Sequence, residues 1–207
     1  MKARFLTLPL ACFAMLTLSA AITRSQTLVT FDDISIDFHG PIPNGYQGLT
    51  WSNFWMLNAV LFSNVAGVTG YSYGMVSPSD VAFNALGNPA EVDARGTDFN
   101  FLSVYLTGAW NSNLNIEVEG FNGAKEIYDT IVVASATNAT LFTFDYLNID
   151  RLYFNSYGGE PAFGDANSTT QFSMDNFMFE FIPEPSSLLL TALGAVTLLA
   201  LRKRFRA

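Results

Sequence analysis

The chain has 207 residues, a formal net charge of −8, 50% hydrophobic and 14% aromatic residues, and a single cysteine. All 18 acidic residues lie between Asp32 and Glu184, where only Arg95, Lys125 and Arg151 oppose them; that stretch carries −15 and the two ends +7. So acidic a surface repels nucleic acid and anionic lipid, which excludes nucleic-acid binding, and it keeps an extracellular protein dispersed.

Lys2 and Arg4 form a short positive region, Phe5 to Leu18 is largely apolar, and Ser19-Ala20-Ala21 supplies small residues for cleavage. This is the pattern of a signal peptide over residues 1–25. Cys12 lies inside it, so the mature chain is expected to have no disulfide, no thiolate metal ligand and no cysteine nucleophile.

Residues 26–182 have the length of one domain with a substantial core. Few charges, many aromatics and frequent Asn, Gly, Ser and Thr favour β structure. Short strands are expected at Leu28 to Phe31, Leu49 to Phe54 and Val81 to Asn84, and longer ones at Phe99 to Leu106, Leu141 to Tyr146, Arg151 to Asn155 and Phe172 to Phe181. Leu114 to Glu119 alternates apolar and polar residues strictly, the mark of a strand with one buried face. Asn122-Gly123 then reads as a type I′ turn into a partner strand from Lys125 to Val133. Roughly eight to ten strands and no convincing amphipathic helix predict an all-β antiparallel sandwich, jelly-roll-like.

Candidate functional residues within this domain are aromatic or acidic. An exposed planar ring stacks on the apolar face of a pyranose, and Tyr46, Trp51, Trp55, Tyr71, Tyr73 and Trp110 are candidates for that role. Trp51 and Trp110 read more readily as core aromatics. Tyr71 and Tyr73, flanked by Gly70, Ser72 and Gly74, read as loop residues and are the preferred binding pair. His39, the only histidine, stands in a turn-like Asp37-Phe38-His39-Gly40-Pro41 segment and reads as solvent-facing. Glu117 and Glu119 project from one strand face about 7 Å apart, a spacing that an inverting glycoside hydrolase would tolerate. They also read as the solvated side of an amphipathic strand, and no catalytic residue is assigned.

The chain ends in Pro183-Glu184-Pro185, a 14-residue apolar run from Leu188 to Leu201, and the basic cluster Arg202, Lys203, Arg204 and Arg206. The run is shorter than the roughly 20 residues a bilayer core requires, and the basic cluster gives the positive-inside orientation. Residues 183–207 resemble the PEP-CTERM sorting signal of Gram-negative bacteria. That resemblance implies recognition of Pro183, Glu184 and Pro185 by an exosortase. It further implies transient anchoring by a short transmembrane helix in the inner membrane, then delivery to the cell surface or extracellular matrix.

Three further segments, Thr30 to Asp33, Gly45 to Phe54 and Phe172 to Phe177, resemble carbohydrate-binding-like jelly-roll domains. This resemblance implies a structural Ca²⁺ tying the first strand to the last through Asp32, Asp33 and Asp175, a carboxylate set suited to that ion if the strands are neighbours. The alternative is that Asp32 and Asp33 end a strand and Asp175 caps an edge. Three functions stay open: a non-enzymatic exopolysaccharide-binding surface protein, a structural protein acting through protein contacts, and a secreted glycoside hydrolase.

Overall fold

The structure is a computed structural model that describes residues 25–35, 38–164 and 169–182, together with Gly194. The expected signal peptide (residues 1–25) lies outside the described residues apart from Ser25, and the expected sorting tail (residues 183–207) apart from Gly194. No described helix is long and apolar enough to cross a membrane.

Twelve strands are present among the described residues. In chain order they are β1 (Gln26–Val29), β2 (His39–Pro41), β3 (Thr50–Ser52), β4 (Phe54–Asn58), β5 (Asp80–Asn84), β6 (Ala90–Asp93), β7 (Phe99–Gly108), β8 (Asn111–Asn122), β9 (Lys125–Ala134), β10 (Thr140–Ile149), β11 (Arg151–Pro161) and β12 (Phe172–Phe181). A seven-stranded sheet runs β10-β7-β12-β5-β4-β2, with β1 also paired to β12, and a five-stranded sheet runs β3-β6-β11-β8-β9. Every pairing is antiparallel. The inner faces meet as a β-sandwich, as the one-faced strands require.

The strand alternation read from the sequence is what fills the interior. Leu114, Ile116 and Val118 of β8 and Leu152 and Phe154 of β11 point inward, while Asn115, Glu117, Glu119, Arg151 and Tyr153 point out. From the larger sheet, Phe54, Met56, Phe101, Phe172, Phe177 and Phe179 close on them. Phe101 and Phe177 stack at 4.8 Å and Phe54 meets Phe154 edge-on at 5.5 Å, geometries that suit the ring quadrupole. A bulge in β12 between Asp175 and Met178, with Asn176 at φ 51°, resets the alternation. Met174 and Phe177 both reach the core as a result, and Asp175 is left on the other face.

The β8–β9 hairpin forms where expected, but its turn sits one residue later. Asn122 pairs with Lys125, so Gly123 and Ala124 make the loop, and Gly123 alone of the two has a positive φ. The Gly123 N–H donates to Asp150 Oδ2 at 2.7 Å, which holds the turn in that register.

Two short helices were not foreseen: α1 (Ala59–Ala66) and α2 (Gly70–Gly74). Asn58 caps α1 by accepting from the Leu61 N–H at 2.9 Å. The sequence Ala-Val-Leu-Phe-Ser-Asn-Val-Ala offers no polar stripe, so periodicity could not reveal it. Both helices pack on the outer face of the larger sheet and build a second apolar cluster from Leu57, Ala59, Tyr71, Val81, Phe83 and Ala109. Both sheets and both clusters of the described residues fall within residues 25–182, which has the length and the buried core that let a domain fold alone.

Candidate functional site: an aromatic groove on the outer sheet face

Because side chains alternate along β4, the residues that leave the core turn up on its outer face: Trp55 and Leu57 there, beside Phe83 of β5 and His39 of β2. His39 is a strand residue and not a turn residue; it pairs with Leu57, and its ring stacks on Trp55 at 5.9 Å and 24°. Two adjoining depressions share His39, Phe83 and Gln171. One, of 190 Å³, reaches under α1 and α2 toward Phe62 and Trp110; the other, of 370 Å³, opens past Trp55 toward Asn53 and Leu86. Together they form a groove with a Phe83 floor and aromatic walls.

Its polar groups are held in place. Gln171 Oε1 accepts from Trp110 Nε1 at 3.1 Å and from Thr169 Oγ1 at 2.8 Å. An indole N–H only donates, so this contact fixes the amide orientation and directs the Gln171 NH₂ group away from Trp110. Leu86, at the far lip, is 80% exposed with a φ of 59°, a conformation that a γ-branched residue adopts at a cost. The surrounding turn is locked by Asn53 Nδ2, which donates to the carbonyls of Ala85, Asn88 and Pro89 at 3.0–3.2 Å, and by Thr170 Oγ1 donating to Gly87. Buried Asn84 ties it further, donating to Asn88 and Ser156 and accepting from the Phe172 N–H.

The groove is uncharged. From Phe38 to Ser79 the sequence holds no Asp, Glu, Lys or Arg, and none lines either depression. The acidic residues gather instead on the outer face of the smaller sheet. There Glu91 and Glu119 flank Tyr153 in register, and a depression of 290 Å³ adds Phe121 and Arg151. Arg151 lies 4.6 Å over the Phe121 ring and 3.8 Å from Glu91. Burial raises the Glu119 pKa, and the charges of Glu126, Glu117 and Asp129 raise it further. Glu117 Oε2 accepts from Asn155 Nδ2, which places both glutamates on an open sheet face, as their alternation implied.

The aromatic candidates divide. Trp55 lines the groove. Tyr71 is not on an exposed loop: it belongs to α2 and is 2% exposed, ringed edge-on by Phe62, Phe83 and Trp110 at 5.2–5.9 Å. Burial drives its hydroxyl pKa upward. The ring therefore builds the groove's underside and offers no stacking platform. Tyr73 is exposed but stacks on Phe163 at 6.3 Å, away from the groove. Tyr46 packs against Phe31 and Trp51, and its hydroxyl donates to Asp33 Oδ1 at 2.5 Å; burial, with that hydrogen bond, raises its pKa. Trp51 is a core residue, and its Nε1 donates to the Tyr46 carbonyl. The sequence did not single out Leu86 or Gln171, and it read His39, exposed as expected, as a turn residue; no local pattern marks residues brought together from several separate segments.

The first and last strands are neighbours, with Val29 opposite Phe177. Their carboxylates nevertheless serve different donors. Asp32 Oδ1 accepts from the Asp80 N–H at 2.9 Å, whereas Asp33 accepts from Tyr46 and Gln47. Asp175, fully buried beneath the segment after α2, accepts from the N–H groups of Val76, Ser77 and Asn176 and from the Ser77 hydroxyl. Burial pushes its pKa up to about 6 even though these donors favour the charged form. No three acidic, histidine or cysteine side chains among the described residues gather at metal-binding separation.

The chain matches no family model and no curated protein. Among solved structures it is similar to a DUF4465 family protein from Bacteroides caccae, at a TM-score of 0.54 and 10% identity, over 77% of this chain and 100% of that one. A DUF4465 family protein from Bacteroides ovatus aligns at a TM-score of 0.43 and 12% identity, over 75% and 94%. The family 32 CBM from C. perfringens NanJ, solved in complex with galactose, aligns at 0.33 and 14%, over 70% and 100%. The first likeness shows the shared sandwich fold.

Proposed function

We propose that the protein is an exported, non-enzymatic sandwich of the jelly-roll kind that binds an uncharged polysaccharide in the Trp55–His39 groove. One observation carries this reading: an aromatic groove without a single charged lining residue, on a domain whose remaining surface is strongly acidic. Stacked rings suit the C–H faces of sugar rings, and amide and imidazole groups suit their hydroxyls. Anionic glycans would be turned away by the acidic surroundings. Glu117 and Glu119, the pair on which a hydrolase reading would rest, lie on the opposite sheet and not in this groove.

Export and sorting follow from the two ends of the chain. The signal peptide directs secretion, and Pro183, Glu184 and Pro185 present the tail to an exosortase while the basic cluster holds it at the inner membrane. Processing then leaves the sandwich at the cell surface or in the matrix. A structural calcium also belongs to this proposal; of the expected ligands Asp32, Asp33 and Asp175 it keeps Asp32, because Asp33 is held by Tyr46 and Gln47 and Asp175 by Val76, Ser77 and Asn176. Asp32 stands beside Asp80, whose pKa is raised by burial first and by the Asp32 charge second, and whose Oδ1 is buried without a hydrogen-bond partner among the described residues.

Affinity electrophoresis of residues 25–182 through gels containing neutral or anionic polysaccharides tests the binding reading. Retardation by one or more neutral glycans, abolished in Trp55→Ala, is expected. Free migration through every neutral polysaccharide would overturn it.

A further inference from the structure

Sheet edges offer unpaired N–H and C=O groups to other chains, and natural proteins blunt them. Of the five edge strands among the described residues, four are blunted. β1 has four residues, and β2 and β3 three each. β10 loses register with β7 twice, where Asp145 and Asn148 take φ values of 49° and 59°. β9 is different: it has ten residues, and from Tyr128 to Ala134 it pairs with β8 without interruption. No strand pairs with its other side among the described residues.

The free half of β9 is also apolar. No charged residue occurs from Thr130 to Phe144, and Ile131 and Val133 are 51% and 55% exposed on the outward face. β10 begins after a short connection and packs beside β9. A β-branched, uncharged, unpaired edge of this length is a template for strand addition.

We propose that β9 pairs with β9 of a second copy, antiparallel about Val132, joining the two five-stranded sheets into one. Ile131 of each chain then stands opposite Val133 of the other, and Thr130 opposite Ala134. An antiparallel strand is its own hydrogen-bonding complement, so a second copy needs no feature that this chain lacks. Charge selects the register as well. Two domains this acidic can close only where carboxylates do not meet, and in this pairing Asp129 falls opposite Ser135 and Glu126 opposite Asn138. The aromatic groove lies at the β5-β4-β2 end of the larger sheet, remote from β10 and β9, so the dimer would present two open grooves. This inference does not depend on what the groove binds.

Sedimentation equilibrium of residues 25–182 tests it, with Val133→Lys and, as a control on the exposed face of α1, Val65→Lys. Both positions are exposed, so folding is not at risk, and equal melting temperatures verify this. The wild type is expected to dimerise, more tightly at higher salt as repulsion is screened. Val133→Lys should weaken the dimer at least tenfold, and Val65→Lys should leave it intact. A wild type that stays monomeric up to about 1 mM, the weak limit of specific association, overturns the proposal. So does a dimer that Val133→Lys leaves unchanged, or one that Val65→Lys abolishes.

Discussion

The imidazole of His39 lies on the indole of Trp55, ring centroids 5.9 Å apart and planes inclined by 24°. Each ring comes from a different strand, and the pairing of β2 with β4 brings them together. The pair forms a planar apolar wall with a polar rim, which is the element that the binding account needs.

Trp55→Ala should abolish polysaccharide retention while leaving the fold, because the ring is only partly buried and belongs to the smaller apolar cluster. Leu86→Ala should weaken retention less and raise stability or leave it unchanged, since an exposed side chain in a left-handed turn contributes little to the core. Paired retention assays and thermal melts check both expectations.

Tyr71→Ala is expected to destabilise the domain by about 3–5 kcal/mol, the usual cost of deleting a large buried aromatic side chain. Chemical denaturation measures this. Retention would fall as well, because Tyr71 supports Phe62 and Trp110 from below. Gly70→Ala should act on the same wall. A Cβ there would lie inside the contact distance of the Gly108 carbonyl oxygen, so α2 would have to lift from the sheet, with an overpacking cost of about 1–3 kcal/mol.

These residues show how far the sequence could be read. Strict alternation made β8 and the β8–β9 hairpin legible, and the outward Glu117 and Glu119 with them. Tyr71 misled because Gly-Tyr-Ser-Tyr-Gly has the composition of a loop; its burial depends on α1 and on Trp110, which are distant in the chain. Trp55 was recognisable as a candidate ring, but its exposure depends on strand pairing and not on its neighbours. Apart from the Asn84–Asn88 contact, the Asn53, Asn84 and Thr170 network that holds Leu86 outward joins residues far apart in the chain, so no local pattern announced it.

Asp175 makes stability depend on pH. Its folded pKa of about 6 lies above the ordinary 3.8, so the folded state holds the proton more tightly than the unfolded chain. The resulting stabilisation is fully present below about pH 4 and is lost as pH rises through about 6, on the order of 3 kcal/mol for this group. Asp80 and Glu119, also shifted upward, act in the same direction. Thermal melts across this range should show a falling Tm, with a flatter profile in Asp175→Asn. An unchanged slope in that variant would assign the effect to other groups.

Calcium at Asp32 and Asp80 should raise the Tm in millimolar Ca²⁺ relative to excess EDTA, because an ion that binds only the folded state stabilises it. Asp80→Asn should remove the response. Equal melting temperatures with and without the ion would remove calcium from the account.

The central claim is tested most directly by following the three indole N–H resonances while a retained neutral oligosaccharide is added. Trp51 is buried with its Nε1 donating to Tyr46, Trp110 is tied to Gln171 at the inner end of the groove, and Trp55 walls its open end. The Trp55 signal should shift in a saturable way, Trp110 should follow, and Trp51 should stay fixed. A ligand that is retained yet leaves the Trp55 resonance unmoved would contradict the groove as the binding site.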